Sequence, residues 1–250
     1  MRECVGKTMK GLIPAAGRGS RLEPITLAIP KELLMVGDHA IIEYVITCMK
    51  QAGITYITIV VGWRKHAILD YLGSGKRLGV HLTYVVQENH DGLAKAVSAG
   101  KQLHEEEPLM VVLGDNFFHP SSFLTDMLTF YKEKSPDALV GVTPVEDPGR
   151  HGMIQPEGDD IIQSIVEKPR PEETPSNLGC IGVYLFKPVI FQAIDHITPG
   201  FNGEYQLTDA IQWLIHQGYK VLYKQLQGIH IDIGTLEDLR KANNHLLQNP

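Results

Sequence analysis

One stretch near the start of the chain, residues 10–35 (KGLIPAAGRGSRLEPITLAIPKELLM), limits the possible folds more than any other. An apolar run, predicted to be a strand, leads into a turn that contains the small residues Ala15, Ala16, Gly17, Gly19 and Ser20. Such a turn lets backbone N–H groups approach phosphate oxygens, which β-branched or aromatic side chains would block. Arg21 follows and can fork onto those oxygens, while Lys31 supplies a point charge. The stretch therefore predicts a phosphate-binding loop after a first strand.

Two other phosphate-binding motifs fit the chain poorly. The dinucleotide fingerprint G-x-G-x-x-G requires a third glycine for close packing of helix on strand, and Leu22 stands in that place. The later sequence GSGK is not a Walker A loop, because Asp70 replaces the first glycine and Arg77 replaces the Ser or Thr. A dehydrogenase is therefore disfavoured. For Gly17 and Gly19 taken alone, a glycine turn without a ligand stays open.

Apolar runs and helical patterns alternate along the first half of the chain. Strands are predicted at residues 10–16, 56–61, 82–86 and 109–113, and helices at 39–52, 65–72 and 92–103. In the less regular second half, strands are predicted at 137–143, 151–155, 161–166 and 180–186. This order predicts a Rossmann-like α/β fold with a mixed, mostly parallel sheet and helices on both faces.

Composition excludes several classes of protein. A net charge of −6 argues against general nucleic-acid binding, which usually needs a basic face. The N-terminal residues contain no apolar stretch of signal-peptide length, and no run approaches the roughly 18 apolar residues of a membrane span. Cys4, Cys48 and Cys180 are widely spaced, so neither a disulfide framework nor a thiolate metal site is expected. We expect a cytoplasmic protein that does not bind a membrane.

Polar residues follow two of the predicted strands. Ligands bind beyond the carboxyl ends of strands in sheets of this type. Gln87 and Gly92 can present donors and acceptors to a base edge, although a plain loop before a helix explains them equally. Asp115 interrupts the apolar run VVLGDNFF at the rim of the sheet, where a simple turn residue is the alternative.

A second aspartate lies far along the chain in the segment HIDIGT. Thr235 is explained as the cap of a helix that begins at Leu236, but the cap does not explain Asp232. The local sequence therefore leaves the role of Asp232 open.

The string G-x-G-S-R-L-x-P-x-T followed by P-K-E-L-L resembles the signature of the sugar-1-phosphate nucleotidylyltransferases. Further matches follow in the family's order, up to about Asn243: Q-x-x-x-x-G-L-A from Gln87, L-G-D-N around Asp115, E-K-P from Glu167, G-E-x-x-L-T-D from Gly203 and D-x-G-T from Asp232. Each motif is weak alone, whereas the combination is specific. The resemblance is closest to glucose-1-phosphate thymidylyl- and uridylyltransferases.

The resemblance implies a single domain over residues 1–250, with a nucleotide-binding half at about 9–120 and a sugar-binding half at about 121–250. It implies that Arg21 and Lys31 are catalytic and that an NTP, dTTP or UTP, binds Ala15, Ala16, Gly17, Gly19, Ser20, Gln87, Gly92 and Asp115. The sugar 1-phosphate, with glucose favoured, would contact Gly152, Glu167, Lys168, Asn177 and Glu204. Asp115 and Asp232 would hold Mg²⁺.

Three features leave the assignment open in detail. His151 stands where thymidylyltransferases of this type usually have Tyr, and PKE is typical of the uridylyl branch whereas LGDN is typical of the thymidylyl branch. The base preference is therefore undecided. The chain ends soon after its last predicted helix, so we expect a stand-alone core without an attached β-helix. Assembly into a homo-oligomer is a further expectation. A catalytically inactive, sugar-nucleotide-binding regulatory subunit of the same fold is the alternative.

Overall fold

The structure is a computed structural model that describes residues 8–248. Its strands are β1 Lys10–Ala15, β2 Met35–Val36, β3 His39–Ala40, β4 Tyr56–Val61, β5 His81–Val86, β6 Leu109–Val112, β7 Asn116–His119, β8 Ala138–Pro144, β9 Gly152–Glu157, β10 Ile161–Glu167, β11 Leu178–Phe186, β12 Val221–Gln225 and β13 Ile229–Asp232. Its α-helices are α1 Ile41–Gln51, α2 Lys65–Leu72, α3 Leu93–Ala99, α4 Lys101–His104, α5 Phe123–Lys134, α6 Val189–His196, α7 Leu207–His216 and α8 Leu236–Gln248.

Nine of these strands form one mixed sheet in the order β5-β4-β1-β6-β11-β8-β12-β10-β9. The strands β5, β4, β1 and β6 are parallel, as the alternation of strands and helices predicts. Strand β11 is antiparallel to both β6 and β8, and β10 is antiparallel to both β12 and β9. The predicted α/β fold with a mixed sheet is confirmed, and its parallel pairs are concentrated in the N-terminal half.

Helices cover both faces of the sheet, and successive residues of β1 point to opposite faces. Leu12 and Ile13 of β1 are both fully buried, Leu12 in the cluster that contains α3, α6 and α7, Ile13 in the cluster that contains α1 and α5. Burial of a side chain of this size contributes roughly 1.5–3 kcal/mol. Two such clusters hold the strand ends in fixed positions.

The predicted apolar run VVLGDNFF is divided in two. Its first part, β6, ends at Val112, while the residues after Asp115 form β7, which leaves the large sheet. Strand β7 instead forms a two-stranded antiparallel ribbon with β13. The interruption at residues 113–115 is what turns the chain out of the sheet and leaves Asp115 at its edge.

Two further predictions concern the chain's surroundings. Within residues 8–248, no helix combines the length and the apolar character needed to cross a membrane. Cys48 and Cys180 are buried free thiols, and Cys4 lies outside the described residues.

Candidate active site

A cleft of about 770 Å³ lies at the carboxyl ends of the parallel strands. Most of the predicted site residues line it: Ala16, Gly17, Ser20, Arg21, Lys31, Gln87, Gly92, Asp115, Gly152, Glu167, Lys168, Glu204 and Asp232. Three do not. Ala15 is a buried residue at the end of β1, Gly19 lies inside the loop, and Asn177 is exposed away from the cleft.

The loop after β1 is fixed by hydrogen bonds from neighbouring segments. Gly19 adopts a φ of +66°, and a Cβ there would lie 2.9 Å from the side chain of Thr26, so this position requires glycine. The Thr26 hydroxyl donates to the Gly19 carbonyl at 2.9 Å. The Trp63 indole donates to the Thr26 carbonyl at 3.4 Å, and the Arg64 guanidinium donates to the Leu27 carbonyl. The β4–α2 turn thereby holds the loop in place.

Lys31 forms an ion pair with Asp115 at the base of the cleft. Burial alone would lower the pKa of Lys31, but Asp115, Glu32 and Asp232 outweigh it and raise that pKa above its ordinary value. Burial raises the pKa of Asp115, but the charge of Lys31 together with hydrogen bonds from Lys31, Asp232 and the backbone lowers it further, so that pKa lies below its ordinary value. Glu32 is buried beside them, and this burial raises its pKa to about 7.

The two predicted metal-binding aspartates meet although they are remote in sequence. The β7–β13 ribbon pairs Asp232 with Asn116, the residue after Asp115. The carboxyl groups of Asp115 and Asp232 are hydrogen-bonded to each other, and burial together with Asp115 raises the pKa of Asp232 to about 7. Arg21 reaches the same group, with its Nη2 3.9 Å from Asp232 Oδ2.

This pair of carboxylates suits a hard divalent cation. Two acidic groups that share a proton at such short range repel each other once both are ionised, and a bound cation relieves that repulsion. Among the described residues, no cluster of three or more His, Cys, Asp or Glu side chains could form a metal cage. Two carboxylates at an open cleft match Mg²⁺, which keeps waters and takes substrate phosphate oxygens.

Thr235 fixes the segment after Asp232. Its hydroxyl accepts from the backbone N–H of Asp238 at 3.2 Å and donates to the Asp238 carboxylate at 2.7 Å. The predicted cap of the last helix, α8, is therefore present. A capped helix directly after Asp232 restricts the backbone on which that aspartate stands.

Gln87 and Gly92 lie on one wall of the cleft. The Gln87 amide donates to the Asp91 carboxylate at 3.0 Å and to the Gly92 carbonyl at 3.3 Å. Gly92 has a φ of +113°, and a Cβ there would lie 2.4 Å from the Tyr205 carbonyl oxygen. Ala94 N–H donates to that same carbonyl at 3.0 Å. Glycine is required here because the segment after β5 lies directly against the backbone before α7.

Glu167 and Lys168 form another part of the cleft wall, at the end of β10. The Thr208 hydroxyl donates to Glu167 Oε2 at 2.8 Å, and Lys168 Nζ lies 3.4 Å from Glu167 Oε1. Lys168 has a φ of +42°, a strained conformation for this residue type, and its N–H donates to the His151 carbonyl at 2.9 Å. Gly152 is packed against Thr208, where a Cβ would lie 2.4 Å from the Thr208 methyl group.

Two histidines of this wall were not predicted to be site residues. His151 and His230 both line the cleft, and burial lowers the pKa of each, that of His230 to about 3. His230 Nε2 is 3.3 Å from Asn116 Oδ1, and His151 Nδ1 is 3.3 Å from the Cys180 carbonyl. In the sequence, His151 was noted only because it departs from the family pattern. His230 could have been identified from its place two residues before Asp232 on a strand, because period-two alternation puts both side chains on one face.

Comparison with known proteins gives consistent results. A sequence model described as "Nucleotidyl transferase" matches residues 10–249. The low-salt glycan biosynthesis nucleotidyltransferase of Haloferax volcanii is 35% identical over 96% of this chain and 67% of its own length. A glucose-1-phosphate thymidylyltransferase of Streptomyces griseus is 33% identical, over 96% of this chain and 66% of its own length. A UTP–glucose-1-phosphate uridylyltransferase of Pseudomonas aeruginosa is 34% identical over 96% of both chains.

Solved structures give the same grouping. The crystal structure of a UDP-glucose pyrophosphorylase complexed with UDP-glucose superimposes with a TM-score of 0.90 at 32% identity. The superposition covers 97% of this chain and all of the other. A putative glucose-1-phosphate thymidylyltransferase from Bacillus anthracis gives a TM-score of 0.87 at 33% identity. The similarity therefore extends over nearly the whole of this chain.

Proposed function

The chain belongs to the nucleotidyl transferase family, and from that premise we propose that it transfers a nucleoside monophosphate from an NTP to a sugar 1-phosphate. The products are an NDP-sugar and pyrophosphate. dTTP and UTP are the favoured nucleotides and glucose 1-phosphate the favoured sugar, because both named activities occur among relatives of 33–34% identity. These relatives do not separate the two bases.

One observation carries the proposal. Two cationic side chains, Arg21 and Lys31, and two carboxylates, Asp115 and Asp232, converge at a cleft beside a loop of small residues. Nucleotidyl transfer joins two polyanions, so its main barrier is electrostatic, and positioned charges lower it without a covalent intermediate. An inactive, sugar-nucleotide-binding subunit should have lost one of the catalytic cations or metal carboxylates, and all four are present in this chain.

In the proposed reaction an oxygen of the sugar phosphate attacks the α-phosphorus of the NTP, and pyrophosphate leaves on the opposite side. Lys31, half-buried and with a raised pKa, holds the α-phosphate and stabilises the charge that develops there. Arg21 is more exposed and longer, which suits the β- and γ-phosphates and the departing pyrophosphate. Lys168, on the other wall, holds the sugar phosphate.

Asp115 and Asp232 would hold Mg²⁺, which supplies charge neutralisation for the phosphates when it is bound. The base would contact the wall formed by Gln87 and Gly92. The two donors of the Gln87 amide are engaged by Asp91 and Gly92, which leaves its carbonyl oxygen to accept from a pyrimidine N–H. Glu167 and Glu204 would accept hydrogen bonds from sugar hydroxyls.

Pyrophosphate release, measured over a matrix of dTTP, UTP, ATP and GTP against several hexose 1-phosphates with Mg²⁺, tests the proposal. We expect release that requires both substrates and is fastest with a pyrimidine nucleotide and glucose 1-phosphate. Absence of release in every combination, together with tight binding of an NDP-sugar in a calorimeter, would instead favour the regulatory subunit. The variant Lys168→Ala, which removes only the cation on the sugar wall, should raise the KM for the sugar phosphate more than that for the NTP.

A further inference from the structure

The sugar wall of the cleft contains two imidazoles whose proton positions are fixed by the protein. His151 lies directly before β9 and His230 lies in β13, and both are half-buried and line the cleft. In a neutral imidazole one nitrogen donates and the other accepts, and the hydrogen-bond partner of one nitrogen decides which is which. The hydrogen-bond partner of one ring nitrogen therefore determines whether the other nitrogen, which faces the cleft, donates or accepts.

For His230 the chain of hydrogen bonds starts at a backbone carbonyl. The Ile181 carbonyl can only accept, so the Asn116 amide nitrogen donates to it, at 2.5 Å. This orients the Asn116 carbonyl oxygen toward His230 Nε2, 3.3 Å away. Nε2 must therefore carry the proton and donate. His230 Nδ1 is then left as a bare acceptor.

The same reasoning applies to His151 with the nitrogens exchanged. Its Nδ1 is 3.3 Å from the Cys180 carbonyl, which can only accept, so Nδ1 carries the proton. His151 Nε2 is then the bare acceptor. Neither bare nitrogen has a hydrogen-bond partner among residues 8–248, and neither is a buried unsatisfied atom, so both are accessible from the cleft.

We propose that His151 Nε2 and His230 Nδ1 are specificity-determining acceptors for hydroxyl groups of the sugar. The inference rests on the proposed function and deepens it: the substrate is a sugar 1-phosphate with free ring hydroxyls that point toward this wall. In these tautomers the two open nitrogens can only accept hydrogen bonds. A deoxy sugar that lacks the matching hydroxyl therefore leaves one of these nitrogens without a donor. Sites built to bond a substrate hydroxyl discriminate strongly against analogues that lack it.

The two tautomers permit a matched pair of substitutions at each position. The amide nitrogen of asparagine can occupy the place of Nδ1, and the amide of glutamine can reach that of Nε2. The variant H151N therefore keeps the bond to the Cys180 carbonyl and loses the open acceptor, whereas H151Q keeps a group at the open position. At His230 the assignment is reversed. H230Q keeps the hydrogen bond to Asn116 and loses the open acceptor, whereas H230N keeps a group at the open acceptor position.

The experiment measures pyrophosphate release with glucose 1-phosphate and with its 2-, 3-, 4- and 6-deoxy analogues. We expect H151N and H230Q each to lower kcat/KM for glucose 1-phosphate about 5- to 10-fold, the effect of one lost hydrogen bond, with the KM for the NTP within twofold of wild type. For each variant the loss should disappear with one deoxy analogue. H151Q and H230N should recover part of the loss.

Several results would overturn the inference. If H151N and H230Q retain the wild-type kcat/KM for the sugar phosphate, or if their losses are equal with every analogue, the histidines act only on structure. If one variant fails to fold, the other decides by the same criterion. Wild-type enzyme that releases pyrophosphate with no sugar phosphate overturns both this inference and the proposed function, whereas active wild type with unaffected variants overturns this inference alone.

Discussion

Replacing Lys31 by Met removes the cation that contacts Asp115 while keeping the approximate length of the side chain. If Lys31 stabilises charge on the α-phosphate, its loss costs about 2.7–4 kcal/mol in the transition state, which lowers kcat by about 10²–10³. The assay is pyrophosphate release at saturating substrates and Mg²⁺. Lys31→Arg keeps the positive charge on a side chain of different shape and should recover only part of kcat. Lys132→Met, at an exposed position of α5, is the control for loss of a lysine.

The same substitution changes stability in a pH-dependent way. In the wild type Lys31 holds the pKa of Asp115 below its ordinary value, so Asp115 adds stability above about pH 4. Without Lys31, burial is the influence that dominates, and it raises that pKa. The folded state then binds more protons than the unfolded state, and its stability falls as the pH rises. Breaking a buried ion pair costs about 3–5 kcal/mol, so we expect a loss of that size at pH 8 and a smaller one at pH 5.

Urea unfolding of the two proteins without substrate, at pH 5 and pH 8, measures this difference. A kcat within a few-fold of wild type would refute the catalytic role of Lys31. A loss of stability that is equal at both pH values would refute the electrostatic argument, because it would mean that Lys31 contributes only packing. The Lys31→Arg variant should keep the wild-type pH dependence even where it loses activity.

Three further expectations follow from the site. Arg21→Ala should lower kcat by about 10²–10³ if the guanidinium stabilises the departing pyrophosphate, and pyrophosphate release that stays within a few-fold of wild type would contradict this. Asp232→Asn should shift the Mg²⁺ titration of activity to higher concentration, and an unchanged titration rules out a ligand role. Because burial raises the pKa of Asp232 to about 7, the Mg²⁺ concentration that the wild type requires should fall as the pH rises through 7. Gly92→Ala should lower the free energy of unfolding in urea by about 1–3 kcal/mol more than Gly53→Ala does. Both glycines have positive φ, but of these two only Gly92 lies against the Tyr205 backbone. Equal losses would show that the close approach is relieved without cost.

The sequence predicted the parallel half of the fold well because its strands are continuous apolar runs separated by helical patterns. The prediction for residues 56–61 agrees with β4, and that for residues 65–72 agrees with α2. The pattern of α5, with Leu124 and Met127 buried on one side, has helical spacing, but its threonines and aromatic residues are typical of strands and obscured it. Strand β12 is short and lies beside β8 only through long-range pairing, which no local pattern specifies.

The site shows a similar division. Arg21, Lys31, Asp115 and Asp232 could be identified from motifs, because chemistry fixes which residue types can meet a triphosphate. The tautomers of the two cleft histidines could not, because they depend on carbonyl groups that come close only in the folded chain. Asn177 illustrates the opposite case: its place in the sequence suggested a sugar contact, but it is exposed just before β11 and does not line the cleft.

The pairing of β7 with β13 has a consequence for the protein during its synthesis. Asp115 leaves the ribosome long before Asp232, so a nascent chain with a complete parallel sheet still has half of the acidic pair. The acidic pair is complete only once Ile229–Asp232 has been made and has paired with β7. If the acidic pair holds the metal of the proposed reaction, partly made chains should not turn over nucleotide.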